Sequence, residues 1–233
     1  MFFIGPPFGN YVSLPQTVRI RGSFTLEKRD GLFMQVMRTL RYSFEHGGWI
    51  NKIGLRNGGI DSVVNNYNKE DVYSIAILDE NEIEKLKNKI PDDMNIELNV
   101  SCPNAEKKMV NSGLDGFLNG KRRWCIVKVP PTCSSDKIDG YYKQGFRQFH
   151  CSNTIPTERG GLSGKSLIPY NNKLIKDIRS KYKDAEIISG GGVEEWKDVV
   201  NYKSVGADHF AVSTLCFNPI KFACLYMDYL NKK

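Results

Sequence analysis

The sequence has few of the residues that build metal sites, disulfide scaffolds and membrane spans. It contains three histidines in 233 residues, and its six cysteines form no CxxC pair and have no histidine at zinc-ligand spacing. No apolar run approaches the roughly 20 residues of a membrane-spanning helix. The apolar first residues lack a basic flank and are interrupted by Gly5-Pro6-Pro7, unlike a signal peptide. These absences predict a soluble, cytoplasmic protein without a structural metal.

Acidic residues are also fewer than basic ones. The chain has 26 Asp and Glu against 33 Lys and Arg, a formal net charge of +7. The excess is spread along the chain, and Lys121-Arg122-Arg123 is its densest run. A diffuse excess is typical of a solvated surface, with anionic small ligands and nucleic acid as alternatives. We expect a small-molecule substrate, regard nucleic acid as the less favoured partner, and expect no membrane partner.

Eight short segments have the apolar content and length of β-strands. They span residues 2–4, 17–23, 73–78, 96–101, 125–130, 147–153, 185–190 and 209–215. Helical spacing of apolar residues follows several of them, at 80–89, 137–144, 174–182 and 194–202. Residues 24–48 lack strong periodicity, which predicts an extended excursion with one helical turn near 34–40. The alternation predicts one α/β domain over residues 1–233, a (β/α)8 TIM barrel with its site at the C-terminal ends of the strands.

The fourth predicted strand ends in a polar turn. It lies within Asn95–Asn104, NIELNVSCPN, where apolar residues alternate with polar ones until Pro103 ends the strand. Cys102 lies at this end, between the carboxamides of Asn99 and Asn104. A carboxamide both donates and accepts hydrogen bonds, which suits a ring edge that alternates C=O and N–H, such as a pyrimidine or a flavin.

This motif resembles the E-L-N-x-S-C/S-P-N pattern of dihydroorotate dehydrogenases. These FMN-dependent α/β barrels oxidise dihydroorotate to orotate in de novo pyrimidine (UMP) biosynthesis. A cysteine at the Cys102 position is typical of the soluble class, and a serine of the membrane-associated class. The resemblance implies that Cys102 is the base that takes a proton from C5 of dihydroorotate while C6 gives a hydride to the flavin. A thiol with a modestly lowered pKa suits that role near neutral pH.

Other segments resemble the same family, notably NKIGLRNGG at 51–59, SNT at 152–154, GGLSGK at 160–165 and the glycines at 190–192. The resemblance implies substrate contacts at Asn51, Ile53, Gly54, Leu55, Asn99, Asn104, Asn153 and Thr154. It implies FMN contacts at Gly22, Ser23, Asn51, Asn99, Lys128, Ser152, Asn153, Ser163, Gly164, Gly191, Gly192, Ser213 and Thr214. From the residues alone, Lys128 interrupts an apolar strand, where a buried amine needs an anion or an acceptor. Loops after strands seven and eight commonly bind phosphate in such barrels.

The chain is shorter than typical family members and departs from them near the second strand. The soluble class has Lys-x-x-Thr there, whereas this chain has Gly22 three residues before Thr25, which resembles the Gly-Ser-x-Thr of the membrane-associated class. That class takes its lysine from the loop after the first strand, but no lysine precedes Lys28 here. Arg21 does not replace that lysine, because neighbours on a strand point to opposite faces. We therefore expect a protein that binds FMN but oxidises dihydroorotate poorly or not at all. If the rest of the site is intact, turnover should rise when lysine is introduced at Gly22.

Two other functions are alternatives. A tRNA dihydrouridine synthase is also an FMN barrel with an Asn-x-x-Cys-Pro turn, and the basic excess would suit RNA. The GLRNGG and GLSG segments favour the dehydrogenases instead. A barrel that binds a flavin or a pyrimidine without turnover is the third candidate. Fumarate is the favoured electron acceptor for a cysteine-base enzyme, since NAD⁺ would require a partner subunit, and a homodimer stays an open alternative.

Overall fold

A computed structural model describes residues 1–100, 110–151 and 153–232. Its strands, numbered in chain order, are β1 Phe2–Ile4, β2 Thr17–Phe24, β3 Arg41–Ser43, β4 Gly48–Asn51, β5 Val72–Ala76, β6 Ile96–Asn99, β7 Cys125–Val129, β8 Gln148–Cys151, β9 Ile155–Thr157, β10 Gly160–Gly164, β11 Glu186–Ser189 and β12 His209–Val212. Its α-helices are α1 Leu32–Thr39, α2 Ile83–Lys89, α3 Ser135–Lys143, α4 Ile168–Lys181, α5 Trp196–Ser204 and α6 Pro219–Lys232.

Eight parallel strands close into a barrel in the order β1-β2-β5-β6-β7-β8-β11-β12, and β12 pairs with β1. This confirms the predicted (β/α)8 barrel and all eight predicted strands, most of which end slightly earlier than expected. A parallel strand between the barrel interior and the outer helices is buried on both faces. That burial explains the continuous apolar runs, since every residue of β5 is buried.

The barrel interior changes from apolar to polar along the strands. A cluster of buried apolar side chains fills the part nearer the N-terminal ends of the strands: Phe3, Val18, Ile20, Val72, Trp124, Ile126, Ile188 and Ala211. Nearer the C-terminal ends, the buried interior residues are polar, and they include Ser74, Glu97, Asn99 and His150. Because buried polar groups are costly unless they are paired, this end of the barrel is where function is expected.

A second, antiparallel sheet has the strand order β3-β4-β10-β9. Its strands come from segments inserted after β2 and after β8. Residues 24–48 leave the barrel as predicted, and α1 corresponds to the helical turn predicted near 34–40, but β3 was not predicted. The small sheet is formed by pairing between residues that are far apart in the chain, for example Trp49 with Ser163. For that reason no local periodicity predicts it.

The predicted helices at 80–89, 137–144, 174–182 and 194–202 correspond to α2, α3, α4 and α5, with shifted ends. The C-terminal helix α6 was not predicted. It packs on the barrel through Tyr229, whose ring centroid lies 5.4 Å from that of Phe2 and 5.8 Å from that of Phe210. The Tyr229 hydroxyl donates to the Gln16 carbonyl at 3.1 Å. Among the described residues, no helix is long and apolar enough to cross a membrane.

Replacing Tyr229 by alanine should lower the free energy of unfolding by about 3–5 kcal/mol, because it opens a large cavity between α6 and the barrel. Urea denaturation of wild type and variant measures the difference. Met227→Ala on the same helix is the control, because Met227 is 55% exposed and its truncation should change stability by less than about 0.5 kcal/mol. Equal losses for the two variants would contradict the packing described for α6.

Candidate active site

A chain of polar side chains crosses the C-terminal end of the barrel. Asn153 Nδ2 donates to Asn99 Oδ1 at 3.2 Å, and Asn99 Nδ2 donates to Ser23 Oγ at 3.3 Å. Ser23 Oγ in turn lies 2.9 Å from Ser74 Oγ. The structure thus brings together three residues that the sequence assigned to the site, from β2, β6 and the loop after β8.

Below this chain lies a buried ion pair between Glu97 on β6 and Lys128 on β7. Glu97 Oε1 is 3.4 Å from Lys128 Nζ and accepts a hydrogen bond from Ser74 Oγ at 2.8 Å. The Glu97 side chain is fully buried, and that of Lys128 is 13% exposed. Burial alone would raise the pKa of Glu97, but Lys128 and His150 beside it lower the pKa to about 2. The sequence predicted that a buried Lys128 needs an anion or an acceptor, and Glu97 is that anion.

His150 on β8 completes this group. Its Nδ1 lies 2.6 Å from Glu97 Oε2. Burial lowers the pKa of His150 despite the opposing effect of Glu97, so the ring is neutral at pH 7 and its Nδ1–H donates to the carboxylate. Its Nε2 is buried and has no hydrogen-bond partner in the described ranges. Sequence reasoning missed both Glu97 and His150, although each is an ionisable residue between two apolar neighbours in a strand.

The glycine-rich segments meet beside the barrel mouth. A Cβ on Gly192, whose φ is +81°, would lie 2.8 Å from both the Gly164 carbonyl oxygen and Lys165 Cα. Gly164 is itself so close to β4 that a Cβ there would lie 2.9 Å from Gly48 Cα. The loop that contains Gly191 and Gly192 therefore packs directly on the Ser163-Gly164 end of β10. Glycine is required at 164 and 192 for this close approach of backbones.

The loops after the last and first strands are joined at the same mouth. Ser213 Oγ donates to the Pro6 carbonyl at 2.6 Å. Thr214 begins a short 3-10 helix that ends at Phe217, and the Phe217 ring lies 4.5 Å from the ring of Trp49 on β4. Ser213 and Thr214 thus lie where the barrel meets the small sheet.

The 51–59 segment is held in place by Asn57, which sequence reasoning did not single out. Asn57 Oδ1 accepts from the backbone N–H groups of Thr25 and Gly59 at 3.1 and 2.7 Å, and Asn57 Nδ2 donates to the Leu55 carbonyl at 2.7 Å. Arg29 was also missed, and its Nε donates to the Gly54 carbonyl at 3.2 Å. Of the predicted substrate residues, Asn51 is the last residue of β4, and Ile53, Gly54 and Leu55 lie on the loop after it, which is tied to the segment after β2.

The surroundings of Gly22 contradict one expectation. Gly22 has φ +118°, and a Cβ there would lie 2.7 Å from the Ser74 carbonyl oxygen and 3.0 Å from the Phe24 nitrogen. Lysine introduced at Gly22 would collide with backbone, so the expectation that it raises turnover is wrong. Arg21 faces away from the barrel interior as predicted, with its Nη1 donating to the Tyr73 hydroxyl at 3.3 Å.

Three predicted site residues, Cys102, Asn104 and Ser152, lie outside the described residues. Thr154 is described, and its backbone N–H donates to Asn153 Oδ1 at 2.9 Å. The Thr154 hydroxyl is buried without a partner in the part of the chain that the structure covers. Such an oxygen is available to a ligand at the mouth.

Fold and site together define a (β/α)8-barrel enzyme whose mouth suits a planar ligand with hydrogen-bonding edges. No protein-family model matches the chain. Two similar curated proteins are each named dihydroorotate dehydrogenase B (NAD(+)), catalytic subunit. The one from Petrotoga mobilis is 29% identical, over 84% of this chain and 75% of the relative. The one from Staphylococcus carnosus is 28% identical, over 94% of this chain and 82% of the relative.

Solved structures agree with this fold. Ligand-free dihydroorotate dehydrogenase from Eimeria tenella superposes with a TM-score of 0.72 at 18% identity, covering 91% of this chain and 76% of that one. The complex of the Eimeria tenella enzyme with ferulenol superposes with a TM-score of 0.71, covering 91% of this chain and 73% of that one. In sequence and in fold, the chain is therefore similar to dihydroorotate dehydrogenases.

Replacing Glu97 by glutamine should lower the free energy of unfolding at pH 7 by about 3–5 kcal/mol, because Lys128 loses its counter-charge in the barrel. The pKa of Glu97 is lowered from 4.5 to about 2, so its ionised form stabilises the fold fully above pH 4.5. That contribution is lost as the pH falls through 2. The difference between variant and wild type should therefore shrink between pH 4.5 and pH 2.

Urea denaturation across this pH range measures the effect of Glu97→Gln. Glu84→Gln is the control, because the Glu84 side chain is 75% exposed and should matter little at any pH. A difference for Glu97→Gln that did not depend on pH would contradict an ionised Glu97.

Proposed function

We propose that the protein is an FMN-dependent dihydroorotate dehydrogenase, which oxidises dihydroorotate to orotate in pyrimidine synthesis. The observation that supports this most strongly is the convergence of Asn153, Asn99 and Ser23 above the Glu97–Lys128 ion pair. These groups offer donors and acceptors to two ring edges at the end of the barrel where such enzymes bind ligands. The similar proteins are named for dihydroorotate, which favours this reaction over tRNA reduction.

The residues present fit FMN. Lys128, Ser23 and Asn99 would hold the polar edge of the ring, and the Lys128 charge would face the position where negative charge develops on reduction. Ser163, Gly164, Gly191 and Gly192 would hold the ribityl and phosphate end, together with Ser213 and Thr214. Backbone N–H groups without side chains in the way suit a phosphate there. Bound FMN would supply the hydride acceptor.

The substrate would be oriented by carboxamides and by the 51–59 loop. Asn51, Asn99, Asn104 and Asn153 would pair with the pyrimidine edge, and the buried Thr154 hydroxyl offers one further polar contact. Cys102 Sγ would take the proton from C5. In this arrangement the chain's own residues hold the ring flat and remove one proton, while the hydride leaves from C6.

We also propose that Arg29 supplies the positive charge for the substrate carboxylate. Gly54 and Leu55 have φ of +72° and +55°, so the predicted substrate loop turns sharply there. Arg29 is bound to this turn, because its Nε donates to the Gly54 carbonyl. A lysine at Gly22 would collide with backbone, and so we assign the role of the missing lysine to Arg29.

The second half-reaction and the assembly are further proposals. The cysteine in the motif favours fumarate as electron acceptor, whereas the similar proteins carry NAD(+) in their names and are called catalytic subunits. Reoxidation of the reduced protein by fumarate, or by NAD⁺ only in the presence of a second subunit, distinguishes these routes.

The purified protein should be yellow, and the flavin that heat releases from it should be FMN rather than FAD or riboflavin. Absorbance spectra and chromatography of the released flavin test this. A colourless protein that also fails to bind added FMN would overturn the proposed function.

Replacing Cys102 by alanine should leave FMN bound but slow flavin reduction by dihydroorotate about 10²–10⁴-fold, because a positioned base is lost. Anaerobic rapid mixing measures the rate. Cys224→Ala is the matched control, since Cys224 is an exposed free cysteine on α6. Unchanged kinetics in Cys102→Ala would exclude the base role, and Cys102→Ser should keep slight activity at higher pH.

Replacing Arg29 by glutamine should weaken orotate binding about 10- to 100-fold, the usual range for losing a charged hydrogen bond. Binding of uracil, which has the same ring without the carboxylate, should change little. Spectral titration of bound FMN with each ligand measures both affinities, and Arg56→Gln on the same loop is the control. Equal weakening of orotate and uracil would show that Arg29 only shapes the loop.

A further inference from the structure

Helix α1 is amphipathic in the opposite sense to an ordinary surface helix. Its polar residues Gln35 and Thr39 face the protein, where Gln35 Nε2 donates to the Lys52 carbonyl at 3.0 Å and Thr39 Oγ1 accepts from the Lys52 N–H at 3.1 Å. Its apolar residues Phe33 and Met37 are 73% and 59% exposed. No residue of α1 is buried. Because a helix normally buries its apolar face, this one requires a partner.

The hairpin that follows α1 in the chain has further exposed apolar residues. Tyr42 on β3 is 45% exposed, and Phe44 in the turn between β3 and β4 is 91% exposed. Their ring centroids lie 5.2 Å apart. We call the set formed by Leu32, Phe33, Met34, Met37, Tyr42 and Phe44 the apolar patch. Single exposed apolar side chains are normal on a protein surface, but six large ones within residues 32–44 are unusual.

The segment around the apolar patch is strongly basic. Residues 28–56 contain six Lys and Arg but only two Asp and Glu. Arg38 in α1 and Arg41 in β3 are both exposed beside the patch. Helices with exposed aromatic and aliphatic residues and neighbouring Arg bind at the headgroup boundary of anionic bilayers.

We propose that the apolar patch docks the protein on the surface of an anionic lipid bilayer. Phe33, Met37 and Phe44 enter the boundary between headgroups and acyl chains, and Arg38 and Arg41 contact the lipid phosphates. The apolar patch lies on a helix and a hairpin turn, and a fluid bilayer can take up exposed side chains there without a complementary groove. A second copy of the chain fits less well, because a two-fold interface would bring the same basic residues together.

This proposal departs from the expectation that the protein has no membrane partner. That expectation followed from the absence of a long apolar run. The folded helix shows what the sequence pattern did not, namely that the polar side of α1 is the side bound to the protein. The docking is independent of the proposed oxidation of dihydroorotate.

Co-sedimentation with vesicles tests the proposal. The full chain should bind vesicles of phosphatidylcholine and phosphatidylserine, bind phosphatidylcholine alone weakly, and lose binding at high salt. Phe33→Ser with Met37→Ser, and separately Arg38→Gln with Arg41→Gln, should each reduce binding to anionic vesicles roughly 10- to 30-fold. Ile220→Ser with Met227→Ser on α6 is the control, because these residues are 76% and 55% exposed and lie outside the patch.

Failure to bind anionic vesicles would overturn the proposal, as would equal binding to neutral ones or an equal loss in the α6 control. Light scattering adds a second readout. A dimer that Phe33→Ser with Met37→Ser dissociates, without vesicle binding by the wild type, would assign the apolar patch to a second copy. Flavin content, measured on every variant, shows whether the barrel remains folded.

Discussion

The ion pair between Glu97 and Lys128 is the interaction on which the candidate site depends. A lysine inside a barrel is costly unless it is paired, and here its partner is a fully buried carboxylate held by Ser74 and His150. Such a pair is weak evidence for overall stability, but removing either partner leaves an uncompensated charge. The ion pair holds the Lys128 ammonium inside the barrel, close to the polar side chains at its C-terminal end. Asn99 is one of these side chains, and it is directly opposite Lys128 in the pairing of β6 with β7.

The second constraint is the close approach of backbones around that mouth. Gly192 contacts the end of β10, and Gly164 contacts β4, so the small sheet and the barrel loops form one packed unit. This unit leaves the helix α1 on the outside with its apolar side uncovered. The same inserted segment therefore supplies Arg29 to the proposed substrate loop and the apolar patch to the surface.

Much of the barrel could be predicted from the sequence, because a parallel strand buried on both faces produces a local apolar run, as in β5. The sequence also predicted that Lys128 has an anion or an acceptor as partner, because a charged residue within such an apolar run requires one. The small sheet could not be predicted, because Trp49 and Ser163 pair across most of the chain. The lack of room for a side chain at Gly22 could not be predicted either, because it is due to a carbonyl group of the neighbouring strand.

The central claim is that this barrel holds FMN beside a dihydroorotate site and transfers one hydride between them. The most direct measurement is anaerobic mixing of the FMN-loaded protein with dihydroorotate, following flavin absorbance and orotate together. The account predicts loss of the oxidised flavin spectrum with one orotate formed per FMN. A flavin that stays oxidised, in a protein that demonstrably binds orotate, would contradict it.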